Sequence, residues 1–141
     1  MREIKFRAWD KGQECYLYDV QGAYDTLSGW VKYENGENAD YDEECFDDFL
    51  NSDQYVVEQY TGLTDVNGKD IYEGDLVRLT DDLEDPVFRV IFDEAKFEIS
   101  GDDLFYDLGE EFMNCEVIGN VHENPELLEA KSNATDNESQ G

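Results

Sequence analysis

A mainly β fold, built as a small barrel or a strongly bent sheet, is what this sequence predicts, and three observations predict it. Short runs of β-branched and aromatic residues recur along most of the chain, Gly and Asn turn signals separate them, and strands do not alternate with long helical patterns as a parallel α/β sheet requires. Of the 141 residues, 40% are apolar and 13% aromatic, with nine Tyr, eight Phe and two Trp. A chain of that length buries roughly two thirds of the surface its unfolded form exposes, and these side chains suffice for one modest core.

The elements follow in order. In residues 1–10, Ile4, Phe6 and Ala8 alternate with Glu3, Lys5 and Arg7, the period-two pattern of a half-buried strand. Lys11-Gly12 offers a turn, and Tyr16, Tyr18 and Val20 share one face of a returning strand, so residues 1–22 predict an N-terminal hairpin. Residues 23–54 read as an acidic insertion. Within it, Asp40 is placed to cap a short helix in which Tyr41, Cys45, Phe46, Phe49 and Leu50 recur at helical spacing, leaving Asp42, Glu43, Glu44, Asp47 and Asp48 outward.

Residues 55–60 are rich in β-formers and predict a strand. Asn67-Gly68 predicts a type I′ turn, because both central positions of that turn need positive φ. Gly74-Asp75 suggests a bulge or turn before a strand over 76–79, and 81–86 reads as a loop. Residues 87–92 and 96–100 predict a strand pair, with Phe88, Val90, Phe92, Phe97 and Ile99 as core. Residues 101–115 are ambiguous: Leu104, Phe105, Leu108 and Phe112 suit a helix that Gly109 interrupts. A strand over 116–121 closes the sheet, and a helical turn through Leu127 and Leu128 follows Asn124-Pro125. Residues 131–141, polar and free of aromatics, predict a disordered tail.

Charge is the strongest compositional signal. Acidic residues number 37 against 10 basic ones, a formal net charge of -27. Such a surface repels DNA, RNA and anionic membranes, which attract Lys and Arg, and a basic partner is its complement. Three cysteines at wide, irregular spacing suit free thiols in a reducing compartment, and no stretch approaches the roughly 20 apolar residues of a membrane span, so a cytoplasmic protein is expected.

Candidate catalytic and metal motifs give way to plainer readings. Asp65-Val66-Asn67-Gly68-Lys69-Asp70 faintly resembles a calcium loop, but the twelfth position is Leu76 where a bidentate Glu belongs, and a hairpin turn accounts for it better. Cys15, Cys45, Cys115 and His122 lack the short paired spacing of zinc ligands, so mostly buried, unconnected thiols are expected. With one His and no Gly-x-Ser-x-Gly elbow, triad catalysis is not indicated. Acidic pairs at Asp81-Asp82, Asp102-Asp103 and Glu110-Glu111 arise from composition alone, and a nuclease also needs cations to hold phosphate. Phe6, Trp9, Tyr16 and Tyr18 among Arg2, Lys5, Arg7 and Lys11 make a miniature basic and aromatic patch, small against the global field, whose charges can instead pair with the protein's own carboxylates.

Three blocks resemble the YopX family of phage and prophage proteins: residues 1–10 (MREIKFRAWD), residues 60–77 (YTGLTDVNGKDIYEGDLV) and residues 116–128 (EVIGNVHENPELL). The resemblance implies a β-rich fold with an SH3-like barrel from the second block onward, encoded by a phage or an integrated prophage. It offers no catalytic residue to carry over. His122 stands where a Tyr is more usual, and the acidic stretch of residues 34–53 is peculiar to this chain.

The expected organisation is therefore one YopX-like domain over 1–130, comprising the hairpin of 1–22, the acidic insertion of 23–54 and the barrel portion of 55–130, with a tail over 131–141. The expected function is non-enzymatic, without cofactor or metal: carboxylates on a rigid scaffold imitate phosphates, which duplex DNA spaces at about one charge per 1.7 Å of axis, and occupy the groove of a basic nucleic-acid-handling protein. Asp40, Asp42, Glu43, Glu44, Asp47 and Asp48 are the partner-binding candidates, with Asp81, Asp82, Glu84 and Asp85 next. The rival reading is a structural, self-assembling module whose acidity serves solubility alone.

Overall fold

The computed structural model describes residues 3–24, 30–80 and 86–128. The protein is mainly β, 45% strand against 16% helix, and its strands form two antiparallel sheets. The chain divides into two compact units, Met1–Tyr60 and Thr61–Gly141.

In the first unit, β1 (Phe6–Asp10) and β2 (Cys15–Tyr18) form the expected hairpin, with Ala8 opposite Leu17. A short β3 (Lys32–Tyr33) adds to β2, and β1 also pairs with the first half of β4 (Tyr55–Thr64), Ala8 facing Val57. Both faces of β1 are covered. Ala8 joins the core with Leu17, Val20, Val31, Phe49 and Tyr55, while Arg7 is buried on the opposite face. The expected alternation of an apolar and a solvated face therefore does not hold here: Ile4 is exposed and Arg7 is not.

Two polar struts explain the second buried face. Arg7 Nε donates to Glu58 Oε1 at 2.8 Å, the Tyr16 hydroxyl donates to the same oxygen at 2.9 Å, and the guanidinium lies 4.2 Å from the Tyr16 ring centroid. Asp10, fully buried, accepts through Oδ1 from the backbone N–H of Gly12 and Gln13 and from Gln54 Nε2, and through Oδ2 from Gln13 Nε2. Desolvation pushes the Asp10 carboxyl up, but these donated hydrogen bonds outweigh it and hold the group below the ordinary carboxylate value.

The second unit takes the later half of β4, then β5 (Asp70–Tyr72), β6 (Asp75–Leu79), β7 (Phe88–Asp93), β8 (Lys96–Gly101), β9 (Leu104–Asp107) and β10 (Cys115–Asn120). The last five are ordered β10-β6-β7-β8-β9. This sheet is open, ending at β10 and β9, so the SH3-like barrel expected over 55–130 does not close. Its core holds Ile71, Val77, Phe88, Val90, Ile99 and Leu108. Phe92, predicted for that core, is 52% exposed at the end of the β7–β8 hairpin, where its ring packs against that of Phe97.

The ambiguous stretch 101–115 resolves into β9, a four-residue helix (Leu108–Glu111) whose first turn Asp107 caps by accepting from the Gly109 N–H, and a 3-10 turn (Phe112–Asn114). The hairpin at 65–69 is not type I′. Gly68 alone of its residues has positive φ, +80°, and the Asp65 N–H donates to Lys69 O across a three-residue loop. After Asn120, the Leu127 and Leu128 N–H groups donate to Asn124 O and Pro125 O, the start of the predicted helical turn. The predicted tail, 131–141, and the loop acids at 81–85 lie outside the described residues.

Candidate interaction surface

The acidic insertion is less helical than its spacing suggests. The helix α1 covers only Phe46–Asn51, and Cys45, not Asp40, stands at its N-cap, without a side-chain cap bond. Six residues cannot hold a helix alone, so packing decides where it forms. Phe49 is fully buried, and Phe46 packs against Phe6 with ring centroids 4.9 Å apart. Residues 40–44 obey tertiary contacts instead. The Asp40 N–H donates to the Tyr33 hydroxyl, and the Glu44 N–H donates to Asp48 Oδ2 at 3.0 Å, a reach-back resembling half of a capping box. The Tyr55 hydroxyl donates to Glu43 Oε1 at 2.5 Å. Burial first, and the adjoining Glu43 carboxylate second, push the Tyr55 hydroxyl well above its usual range, so it remains a donor.

An aromatic series pins this segment. Rings run Tyr24–Tyr41 at 5.1 Å, Tyr41–Phe49 at 5.6 Å and Phe49–Tyr55 at 4.7 Å, ending on the sheet strand β4. Against that backing the first group of predicted partner-binding acids falls in one segment of the first unit. Asp40, Asp42, Glu44 and Asp47 are exposed, and Glu43 and Asp48 half-buried. Glu34, Glu37 and Asp53 are exposed beside them in sequence, and no Lys or Arg occurs between residues 33 and 53. The second predicted group, Asp81, Asp82, Glu84 and Asp85, falls outside the described residues.

Of the four cations in the N-terminal basic and aromatic patch, Arg7 and Lys5 are engaged within the protein, Lys11 is exposed and Arg2 lies outside the described residues. Arg7 is buried against Glu58, and Lys5 Nζ lies 3.3 Å from Glu3 and 4.6 Å from the Tyr60 ring centroid. Acidic pairs elsewhere take structural places: Asp102 and Asp103 are the two positive-φ residues linking β8 to β9, and Glu110-Glu111 sits in the first turn of the short helix after Asp107. Among the described residues no group of three or more His, Cys, Asp or Glu side chains is arranged to hold a metal ion, and no helix is long and apolar enough to cross a membrane. The three cysteines form no disulfide and are less buried than expected: Cys115 is buried, Cys15 half-buried and Cys45 exposed at the helix start.

A feature absent from the sequence reading lies next to these acids. A cleft of about 270 Å³ is lined by Tyr24, Trp30, Val31, Asn38, Ala39, Asp40 and Tyr41. The Ala39 N–H donates to Val31 O and Lys32 bridges Asn38, which brings the two stretches of chain together. Tyr24 and Trp30 had no periodicity to mark them, since they flank an irregular region.

The fold and this surface define a class: a mainly β protein of antiparallel sheets carrying a carboxylate-rich segment with no cation of its own. A family model described as YopX protein matches residues 5–129, and the chain belongs to the YopX family. It is similar to the crystal structure of protein EF1440 from Enterococcus faecalis, at 30% identity and a TM-score of 0.60 over 91% of this chain and 99% of that one. It also shares its fold with protein yopX from Bacillus subtilis, at 24% identity and a TM-score of 0.55 over the same shares. No curated protein matches the chain.

Proposed function

We propose that this protein is a non-enzymatic accessory protein of phage or prophage origin that binds and blocks a basic, nucleic-acid-handling host protein, its carboxylates standing in for phosphates. One observation carries the reading: the exposed carboxylates of residues 40–48 stand on backbone fixed by buried rings, in a segment without a single Lys or Arg. Fixed negative charge steers a cationic groove toward it and costs less to align than charge on a loose chain. A defence nuclease or a transcription factor has such a groove.

The test is a pull-down from host lysate at low and moderate salt. Basic nucleic-acid-binding proteins should be recovered at low salt and progressively released as salt rises. Recovery only of acidic proteins, or of partners indifferent to salt, would overturn the proposal.

A second reading has its own observation: the edge strand β9 presents Leu104 and Phe105 to solvent, the kind of exposed edge through which chains pair. Light scattering after size exclusion separates the two. A uniform oligomer that Phe105→Lys dissolves, without any salt-sensitive partner, would favour self-assembly.

A further inference from the structure

The cleft beside Asp40 has walls unlike the rest of the acidic segment. Trp30 is 62% and Tyr24 68% exposed, and the Tyr24 ring is tilted by 49° against that of Tyr41, itself held on the buried Phe49. Its volume of about 270 Å³ falls just under the roughly 300–1,000 Å³ of small-molecule sites, a size suited to one inserted side chain. The surrounding carboxylates exclude an anion, and a purely apolar side chain would leave Asp40 unused. A guanidinium uses both wall chemistries: its flat faces stack on aromatic rings while its N–H fork pairs with a carboxylate. An ammonium has no plane to stack. One cation borders the cleft, Lys32, whose ammonium donates to Asn38 Oδ1 at 2.8 Å; Asp40 in the lining and Asp42 and Glu37 nearby in sequence keep the local balance negative.

We infer that this cleft receives an arginine side chain of the basic partner. The inference rests on the reading that the partner is a basic protein, and it adds a specificity that charge alone lacks: the segment of residues 34–53 attracts cations of either kind, and the aromatic cleft prefers arginine to lysine.

The experiment uses the full chain with Trp9→Phe, which leaves Trp30 as the single tryptophan reporter. It is titrated with two synthetic peptides of equal length and charge, one all arginine and one all lysine. The arginine peptide should change Trp30 fluorescence and bind about fivefold more tightly. In Trp30→Ala, followed by calorimetry, that preference should disappear while lysine-peptide affinity stays as it was; both substituted side chains are exposed or conservatively replaced, and circular dichroism checks the fold. Equal affinities in the parent protein, or a preference that survives Trp30→Ala, would overturn the assignment while leaving the basic-partner reading standing. Failure of both peptides to bind would remove the basic-partner reading and the cleft with it.

Discussion

Arg7 is among the few cations of a chain that carries 37 acids, and it is spent on the interior. It meets Glu58 at 2.8 Å in a site shared with the Tyr16 hydroxyl. Removing one member of a buried pair leaves the other charge unmatched, so Glu58→Gln should lower stability by about 3–5 kcal/mol, read from urea unfolding; a loss under 1 kcal/mol would mean the pair is solvated. Asp10 gives a pH signature. Its folded carboxyl titrates below the ordinary value of about 3.9. Such a group binds fewer protons folded than unfolded, so its stabilisation is complete above the unfolded value and is lost as pH falls through the lower, folded one. Wild type should therefore lose more stability below pH 4 than Asp10→Asn does, measured by thermal melts across acid pH. Neither residue's role was legible in the sequence, where Arg7 sits at a position that alternation assigns to solvent.

At the scale of elements, the strands with strong β-former runs were legible to within a few residues: β1, β2, β4, β6, β7, β8 and β10 all lie where the pattern placed them. The misses have physical causes. β3 is two residues long, too short for periodicity, and β9 is an edge strand whose Leu104 and Phe105 face solvent, so its pattern mimics a helix. α1 is shorter than its spacing because tertiary bonds to Tyr33 and Tyr55 hold residues 40–43 outside it.

The family blocks turn out to mark turns and struts. Arg7, Asp10, Thr61, Asp65, Asp75 and Asn120 are buried polar residues inside those blocks, with Glu58 just before the second. Asp65 accepts from the N–H groups of Asn67, Lys69 and Val117, and a Cβ on Gly119 would come within 2.6 Å of the Asn124 side chain. These buried polar residues of the blocks hold turns and strand pairings together. The β7–β8 turn carries avoidable strain: Glu94 and Ala95 both have positive φ, +50° and +66°. A side chain there costs roughly 1–2 kcal/mol, partly offset by glycine's entropy in the unfolded chain, so Ala95→Gly should stabilise the protein by about 0.5–1 kcal/mol in denaturant unfolding. Destabilisation would contradict a strained, positive-φ backbone at residue 95.

For the whole molecule, the net charge of -27 is both the clearest sequence signal and the least specific. Exposed carboxylates occur in both units, at Asp102, Asp103, Glu110, Glu123 and Glu126 as well as along residues 34–53. Self-repulsion of this size is screened within a Debye length of about 8 Å at physiological salt, so added neutral salt should raise the melting temperature; a melting temperature independent of salt would show that the charges are already well separated. The acids of the candidate surface were legible because counting finds carboxylates. The neighbouring cleft was not, because it is assembled by tertiary contacts: the Lys32–Asn38 bridge beside Trp30, and the Tyr24 N–H donating to the Tyr41 hydroxyl. What distinguishes residues 34–53 from the other acids is density: six carboxylates fall within residues 40–48, beside the ring series Tyr41–Phe49–Tyr55.

The most direct measurement therefore isolates that segment: the salt dependence of affinity for a captured basic partner, compared between wild type and the variant Asp42→Lys/Glu43→Lys/Asp47→Lys/Asp48→Lys. Wild type should bind tightly at low salt with a steep loss as salt rises, and the variant should lose at least tenfold in low-salt affinity and most of the slope. An unchanged affinity and an unchanged slope would contradict the account.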